Sequence, residues 1–319
     1  MNGIVAILCS GQGEQHARMF DLLADCAAAE PVFAAASDLL GKDPRRLARG
    51  AGPVLFEDRI GQILCCTQAL AAWAALGTVR PARAVIAGYS VGELAAWGCA
   101  GAFDAKATLR LAARRAAVMD AAAPKDSGLA AIVGLRRPVL EPILQRHATS
   151  IAIINDIDSF VVGGHAEALT ATCQEAAAQG AIHTVRLRVS VPSHTQLLAQ
   201  AAPAFQLALH EAAPRAPAPG YRLLSGIDGS SVQDADAGCE KLAHQIAKTI
   251  NWAACLESCR AAGAETALEL GPGTALSRMA ARIFSAGRAR STEEFSNIGG
   301  VAGLALTRKR LIDSAGYRV

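Results

Sequence analysis

A serine between two glycines is the residue of this 319-residue sequence with the clearest chemical potential. The stretch Val85 to Ala96 reads Val-Ile-Ala-Gly-Tyr-Ser-Val-Gly-Glu-Leu-Ala-Ala, with Ser90 at the centre of Gly88-x-Ser90-x-Gly92. The apolar residues before the motif predict a buried strand, and those after it predict a helix. A serine in such a sharp turn projects its hydroxyl above the sheet edge, where the helix N-terminus favours a developing oxyanion. The pattern therefore favours Ser90 as a nucleophile over a structural turn serine.

A candidate general base for Ser90 lies further along the chain. His194, in Val191-Pro-Ser-His194-Thr-Gln, follows a proline-marked junction between two segments of different pattern, where a cleft would form. The other six of the seven histidines have no such context and are interpreted as structural or exposed. We expect His194 to accept the proton of Ser90.

The loop after the first predicted strand is a candidate ligand-binding element. Its sequence, Ser10-Gly11-Gln12-Gly13-Glu14-Gln15, leaves the carboxyl end of the strand, where ligands bind in open α/β sheets. It lacks the Lys-Ser/Thr ending of a P-loop and the G-x-G-x-x-G spacing, which disfavours a nucleotide site. Alternatively, the backbone N–H of Gln12 faces the nucleophile and forms an oxyanion hole together with the N–H of Val91.

The order of predicted elements indicates an α/β fold with an insertion. Gly3 to Cys9 reads as the first strand, and residues 17–78 read as three or four helices. Between Pro124 and Pro192 the order is β-α-β-β-α-β, the ferredoxin-like arrangement. The tail from Gly299 to Val319 is predicted to contain an amphipathic helix.

Two domains follow from this order. We predict a large α/β-hydrolase-like domain with a parallel sheet, formed by residues 1–125 and 193–319, and an inserted small ferredoxin-like domain of residues 126–192.

Composition limits the environment and the partners. The net charge of +3 does not indicate a nucleic-acid-binding protein. The nine cysteines are an odd number and lie in apolar patterns, which favours reduced thiols and a cytoplasmic location. No basic region precedes the first apolar run, and no run reaches the ~18 apolar residues of a membrane span. We therefore expect neither a signal peptide nor a membrane partner.

Several motifs recur in the order and spacing of a known family. They are Gly11-Gln12-Gly13, Thr67-Gln68, Gly88-x-Ser90-x-Gly92-Glu93, Arg115 before Met119, Pro192-Ser-His194 and Glu269-Leu-Gly-Pro-Gly273. Over nearly its whole length the chain resembles the malonyl-CoA:acyl-carrier-protein transacylases. One departure is Tyr89, where most of that family has histidine. The segments around Tyr89 and at 224–229 resemble one branch, the epsilon subunits of bacterial malonate decarboxylases.

The resemblance implies a reaction and roles for individual residues. Malonyl-CoA would be the substrate, and its malonyl group would pass through an ester on Ser90 to the thiol of an acyl-carrier protein. Arg115 would bind the malonyl carboxylate, since a guanidinium can grip a carboxylate with two hydrogen bonds. Without the motif match, a helix-surface arginine would be equally acceptable, and Arg114 is interpreted as one.

The remaining site residues are implied by motif position. Gln68 and Asn155 would line the substrate site, and a backbone carbonyl near Gln245 would orient His194 in place of an aspartate. No metal and no bound cofactor are expected. The acceptor would be the carrier subunit of malonate decarboxylase, with its phosphoribosyl-dephospho-coenzyme A arm, or the pantetheine arm of a carrier in fatty-acid or polyketide synthesis.

A Ser-His hydrolase of esters or thioesters would show the same serine motif. Such an enzyme usually adds a third acid in the order Ser-Asp/Glu-His. Asp156 and Asp158 lie between Ser90 and His194, but they are interpreted as loop residues because aspartate favours turns. A non-enzymatic scaffold would leave Ser90, Arg115 and His194 unexplained.

Overall fold

The residues described by the computed structural model form two five-stranded sheets, with helices packed against both. The structure describes residues 3–50, 52–284 and 288–294. The predicted helix between Gly299 and Val319 lies outside these residues.

The helices and strands are numbered along the chain. The strands are β1 (Ile4–Cys9), β2 (Ala84–Gly88), β3 (Ser127–Val133), β4 (Ser150–Asp156), β5 (Ser159–His165), β6 (His183–Arg186), β7 (Tyr221–Leu223), β8 (Ile250–Asn251), β9 (Ala264–Leu270) and β10 (Ala289–Ser291). The helices are α1 (Glu30–Leu40), α2 (Pro44–Gly50), α3 (Asp58–Leu76), α4 (Gly92–Cys99), α5 (Ala105–Ala122), α6 (Arg137–Arg146), α7 (Ala166–Ala178), α8 (Ala201–Glu211), α9 (Ala235–His244), α10 (Trp252–Ala261) and α11 (Ala275–Ala280). Short 3-10 helices cover Asp21–Leu23, Ala27–Ala29, Gly52–Phe56, Gly77–Val79 and Gln196–Leu198.

The large sheet is entirely parallel, in the order β10-β9-β1-β2-β7. The strands β1 and β2 carry no polar side chain because both faces of the sheet are covered. Along β1, Val5, Ile7 and Cys9 face one hydrophobic cluster, while Ala6 and Leu8 face another. This alternation follows from the two-residue period of a strand. The predicted α/β fold with a parallel sheet is confirmed.

The helix α3 forms the centre of one layer. It is buried on nearly all sides because it packs against α1, α4 and α5. In the described part of the chain, Asp58–Val79 is the one helical segment long and apolar enough to cross a membrane, and 83% of its most apolar window is buried within the fold.

The small sheet has the order β6-β3-β5-β4-β8. Its first four strands are antiparallel neighbours and come from the predicted β-α-β-β-α-β segment. Residues Ile132, Phe160 and Val162 pack on the face covered by α6 and α7, whereas Leu129 and Val161 join the cluster beneath the large sheet.

The fifth strand of the small sheet was not predicted. The two-residue strand β8 lies in the segment assigned to the large domain, yet it pairs in parallel with β4. This pairing needs only two residues and is specified by contacts distant in sequence, so it leaves no periodic signal. It brings the chain before α10 against the small sheet.

Candidate active site

The turn between β2 and α4 has the strained geometry predicted for a nucleophile. Ser90 has φ of +55°, and the helix α4 begins two residues later at Gly92. A Cβ at Gly88 would overlap the backbone of Gly92, and one at Gly92 would overlap the carbonyl of Cys9. Both glycines are therefore required by the close approach of the turn to itself and to β1. The motif thus places the Ser90 hydroxyl at the N-terminal end of α4.

The structure brings Ser90 and His194 together. Ser90 Oγ lies 2.8 Å from His194 Nε2, and His194 Nδ1 lies 2.6 Å from the carbonyl oxygen of Gln245. A carbonyl only accepts, so Nδ1 carries the proton and Nε2 is left as an acceptor. His194 itself has φ of +64°, and its backbone N–H donates to the carbonyl of Ile246 at 2.7 Å. The imidazole is therefore held in the tautomer that a general base requires.

Burial also sets the charge of the imidazole. Burial lowers the pKa of His194 to about 3, and the positive charge of Arg115 adds to the shift. His194 is therefore neutral near pH 7 and free to accept a proton.

Among the described residues, no aspartate accepts from His194 Nδ1 in place of the Gln245 carbonyl. Asp156 is the last residue of β4, and its carboxylate pairs with Arg282 at 2.6 Å. Asp158 follows in the turn before β5, where its carbonyl accepts from the N–H of Gly134. Asp158 is thus a turn residue, as predicted, whereas Asp156 belongs to the strand β4 and not to a loop.

Arg115 is the inward-facing arginine of α5. It is fully buried, whereas Arg110 and Arg114 on the same helix are exposed. Its Nη1 donates to Gln62 Oε1 at 2.9 Å, and its Nη2 donates to Gln245 Oε1 at 3.0 Å. Both partners are neutral amides, and no carboxylate in the described residues forms an ion pair with the guanidinium. Its charge is therefore not cancelled by direct contact.

The glutamine of α3 that contacts Arg115 is Gln62, whereas Gln68, predicted to line the substrate site, bonds elsewhere. Gln68 donates to Glu293 Oε1 at 2.6 Å. Six residues along a helix correspond to a rotation of ~240° from the starting face, so the two glutamines of α3 face different neighbours. The sequence feature that could have identified Gln62 is its position one helical turn after Asp58. Gln62 Nε2 donates to Asp58 Oδ2 at 2.8 Å.

Gln245 contacts Ser90, His194 and Arg115. Its carbonyl holds His194 and its Oε1 accepts from Arg115, while its Nε2 donates to the carbonyl of Ser90 at 3.0 Å. The same Nε2 donates to Glu93 Oε2 at 2.6 Å. The sequence analysis placed Gln245 only near the carbonyl that orients His194, and it named Glu93 only as part of a motif.

Asn155 contacts Tyr89, the residue before Ser90 in the serine turn. The Tyr89 hydroxyl donates to Asn155 Oδ1 at 3.1 Å, and the tyrosine ring packs edge-on against Trp252 with 5.4 Å between ring centres. Both side chains line a cleft of about 350 Å³, together with Gln12 and Arg188. The cleft lies between the loop after β1, the small sheet and α11.

The loop carrying Gln12 lies directly against the serine turn. A Cβ at Gly11 would overlap the carbonyl of Tyr89. The side chain of Gln12 turns away to Asp58 Oδ1 at 3.2 Å. Within the described residues, the backbone N–H groups of Gln12 and Val91 donate to no protein acceptor.

Comparisons with known proteins agree with this geometry. Residues 61–306 match the family model described as the acyl transferase domain. The chain is 32% identical over 292 residues to the malonyl CoA-acyl carrier protein transacylase of Escherichia coli K12, covering 87% of this chain and 92% of that protein. It is 28% identical to the corresponding protein of Mycobacterium bovis, covering 94% and 100%.

Solved structures show the same fold. The crystal structure of FabD from Acinetobacter baumannii superposes with a TM-score of 0.87 at 26% identity, covering 99% of this chain and 100% of that one. A malonyl-transacylase in complex with a type II polyketide acyl-carrier protein superposes with a TM-score of 0.84 at 27% identity, covering 96% and 99%. The chain belongs to the acyl transferase domain family, among the malonyl-CoA:acyl-carrier-protein transacylases.

Proposed function

We propose that this protein transfers a malonyl group from malonyl-CoA to the thiol of an acyl-carrier protein through an ester on Ser90. The observation that carries the proposal is the 2.8 Å contact between Ser90 Oγ and the neutral His194 Nε2, with the uncancelled charge of Arg115 linked to both through Gln245. A nucleophile, a base and a fixed cation for a carboxylate are the groups that this transfer requires.

The transfer proceeds in two balanced halves. Ser90 Oγ attacks the thioester carbonyl while its proton moves to His194 Nε2, and the C–S bond then breaks as coenzyme A leaves with that proton. In the second half, His194 takes the proton of the carrier thiol, whose sulfur attacks the ester. The C–O bond breaks and Ser90 regains the proton.

The oxyanion of each tetrahedral intermediate needs donors that are already in place. The backbone N–H groups of Val91 and Gln12 are suited to this role because the N–H of Val91 lies at the start of α4 and the Gln12 loop lies against the serine turn. Two carboxylates anchor the loop: Glu269 accepts from Ser10 Oγ at 2.8 Å, and Glu14 accepts from the N–H groups of Thr274 and Ala275 at 2.9 Å.

Intact-mass spectrometry tests the covalent step. Wild-type protein mixed with malonyl-CoA should gain one malonyl adduct, and Ser90→Ala should gain none. An adduct that persists in Ser90→Ala would exclude Ser90 as the nucleophile. Rapid loss of the adduct in water, without any carrier, would instead favour the Ser-His hydrolase, which must expose its acyl-enzyme to water.

The choice of carrier is the finer part of the proposal. The relatives are acyl-carrier-protein transacylases, and one solved relative is bound to a carrier of polyketide synthesis. These comparisons favour a carrier of fatty-acid or polyketide synthesis. The Tyr89 motif supports the alternative, the carrier subunit of malonate decarboxylase, and Tyr89 lines the cleft beside the serine turn.

A competition experiment separates the two acceptors. Malonyl-loaded protein would be offered both carriers at equal concentration, and kcat/KM compared for each. Preference for the fatty-acid carrier supports the first assignment, whereas preference for the malonate decarboxylase carrier supports the second. Tyr89→His, which restores the common family residue, shows whether Tyr89 contributes to the preference.

A further inference from the structure

A buried carboxylate beneath the nucleophile has no part in the proton transfers described above. Glu93 lies on the first turn of α4 and is 1% exposed. Its Oε2 accepts from Gln245 Nε2 at 2.6 Å and from the backbone N–H of Gly226 at 3.0 Å. Burying a carboxylate costs folding free energy, which suggests that Glu93 is kept at this position for a function.

The partner of Glu93 is the residue on which the site depends. The amide of Gln245 has one donating end and one accepting end. The donating Nε2 contacts Ser90 O and Glu93, while the accepting Oε1 contacts Arg115 Nη2. If the amide were rotated by half a turn, its NH₂ group would face the guanidinium, which only donates.

We infer that Glu93 is the positioning residue that fixes Gln245, and through it both the base His194 and the carboxylate-binding Arg115. An ionised carboxylate only accepts, so it selects the amide orientation in which Oε1 faces Arg115. The same contact holds the main chain of Gln245, whose carbonyl orients His194. This inference rests on the proposed function, because it assigns Glu93 a role in that same site.

Glu93 is also placed to make the site sensitive to pH. The charged and titratable groups that face it are Arg115 from α5, Asp228 from the loop after β7 and Cys255 from α10. Burial raises the pKa of Glu93 to about 7, against hydrogen bonds from Gln245 and Gly226 that lower it. Below that pH the protonated carboxyl can donate and no longer selects one orientation of the amide. Acylation of Ser90 is therefore expected to rise through about pH 7.

The test uses Glu93→Ala, Glu93→Gln and the control Asp228→Asn. The control removes a charge that faces Glu93 but pairs with Lys241 at 2.7 Å and does not contact Gln245. Acylation of Ser90 would be followed from about pH 6 to about pH 9 with malonyl-CoA, with acetyl-CoA and with p-nitrophenyl acetate. The last reagent reports on Ser90 and His194 without a substrate carboxylate.

Glu93→Ala is expected to slow acylation by malonyl-CoA by roughly 10-fold to 100-fold, since small displacements of catalytic groups cost this much. It should slow the reaction with p-nitrophenyl acetate less, because Arg115 is not used there. Glu93→Gln should abolish the rise through pH 7, and Asp228→Asn should keep both the rate and the rise.

A folded Glu93→Ala variant with the wild-type rate and pH profile would overturn the inference. If circular dichroism shows that Glu93→Ala does not fold, Glu93→Gln serves as the test. An acylation rate that still rises through pH 7 in Glu93→Gln would also overturn the inference. Wild-type protein that none of the three reagents acylates would instead overturn the proposed function.

Discussion

At the scale of single residues, amide groups of Gln62 and Gln245 hold the charged Arg115 and the base His194 in fixed orientations. Arg115 is fully buried and meets two glutamine oxygens, so its charge is desolvated but not cancelled. Burial lowers the pKa of Arg115, and the negative charges of Asp58 and Glu93 oppose the shift. A buried cation without an ion-pair partner is strongly favoured to bind an anion.

Arg115→Ala is expected to reduce malonyl transfer about 100-fold, since losing hydrogen bonds to a charged group costs about 2–3 kcal/mol. Transfer of an acetyl group should fall much less, because acetyl has no carboxylate. Acylation rates with malonyl-CoA and acetyl-CoA measure both effects in one preparation. Arg114→Ala, an exposed position on the same helix, is the control and should leave the ratio unchanged. Equal losses with both substrates in Arg115→Ala would indicate a structural arginine.

At the scale of elements, the serine turn is fixed by the contact between β1, β2 and the start of α4. The N–H of Tyr89 donates to the carbonyl of Cys9 at 2.9 Å, which continues the pairing of β1 and β2 beyond the last strand residue. Gly92 then passes the carbonyl of Cys9 so closely that no side chain fits. The strain at Ser90 is therefore maintained by neighbouring backbone rather than by the serine itself.

Gly92→Ala is expected to destabilise the fold by ~3 kcal/mol or more, because the added methyl meets rigid backbone rather than a movable side chain. Urea unfolding measures the loss. Gly50→Ala at the end of α2 is the control, since a Cβ there meets nothing within 4 Å and the backbone is not left-handed. Similar unfolding midpoints for the two variants would show that the turn relaxes without cost.

At the scale of the whole molecule, buried ionisable groups give stability an optimum in pH. Burial raises the pKa of Glu93 and of Glu269 from 4.5 to about 7, so the folded state binds more protons and stability is lost as pH rises from 4.5 to 7. Burial lowers the pKa of His194 from 6.5 to about 3, so the contribution of this histidine is lost as pH falls below 6.5.

Glu93→Gln is accordingly expected to be more stable than wild type at alkaline pH. The gain should be ~3 kcal/mol near pH 8 and below ~1 kcal/mol near pH 5, following the shift of the carboxyl pKa. Denaturant unfolding at the two pH values measures the difference. A gain that is the same at both would mean that packing, not charge, changed. The same substitution should impair the site, as is common where function requires a buried charge.

Much of the fold could be predicted from the sequence because the information is local. The strand, turn and helix around Ser90 follow from an apolar run, two glycines and a helix-forming segment, and α3 lies within residues 17–78, which were predicted to form helices. The β-α-β-β-α-β segment follows from alternating patterns in the same way. The motifs also named the pair Ser90 and His194, which the structure places in hydrogen-bond contact.

Only the tertiary structure decided which distant side chains meet. The rotation of α3 against α5 places Gln62, not Gln68, on Arg115, and the packing of α4 against the segment after α9 brings Glu93 to Gln245. The pairing of β8 with β4 was decided in the same way. These contacts depend on how packing in the shared core orients whole helices and strands. Local sequence patterns do not encode that orientation.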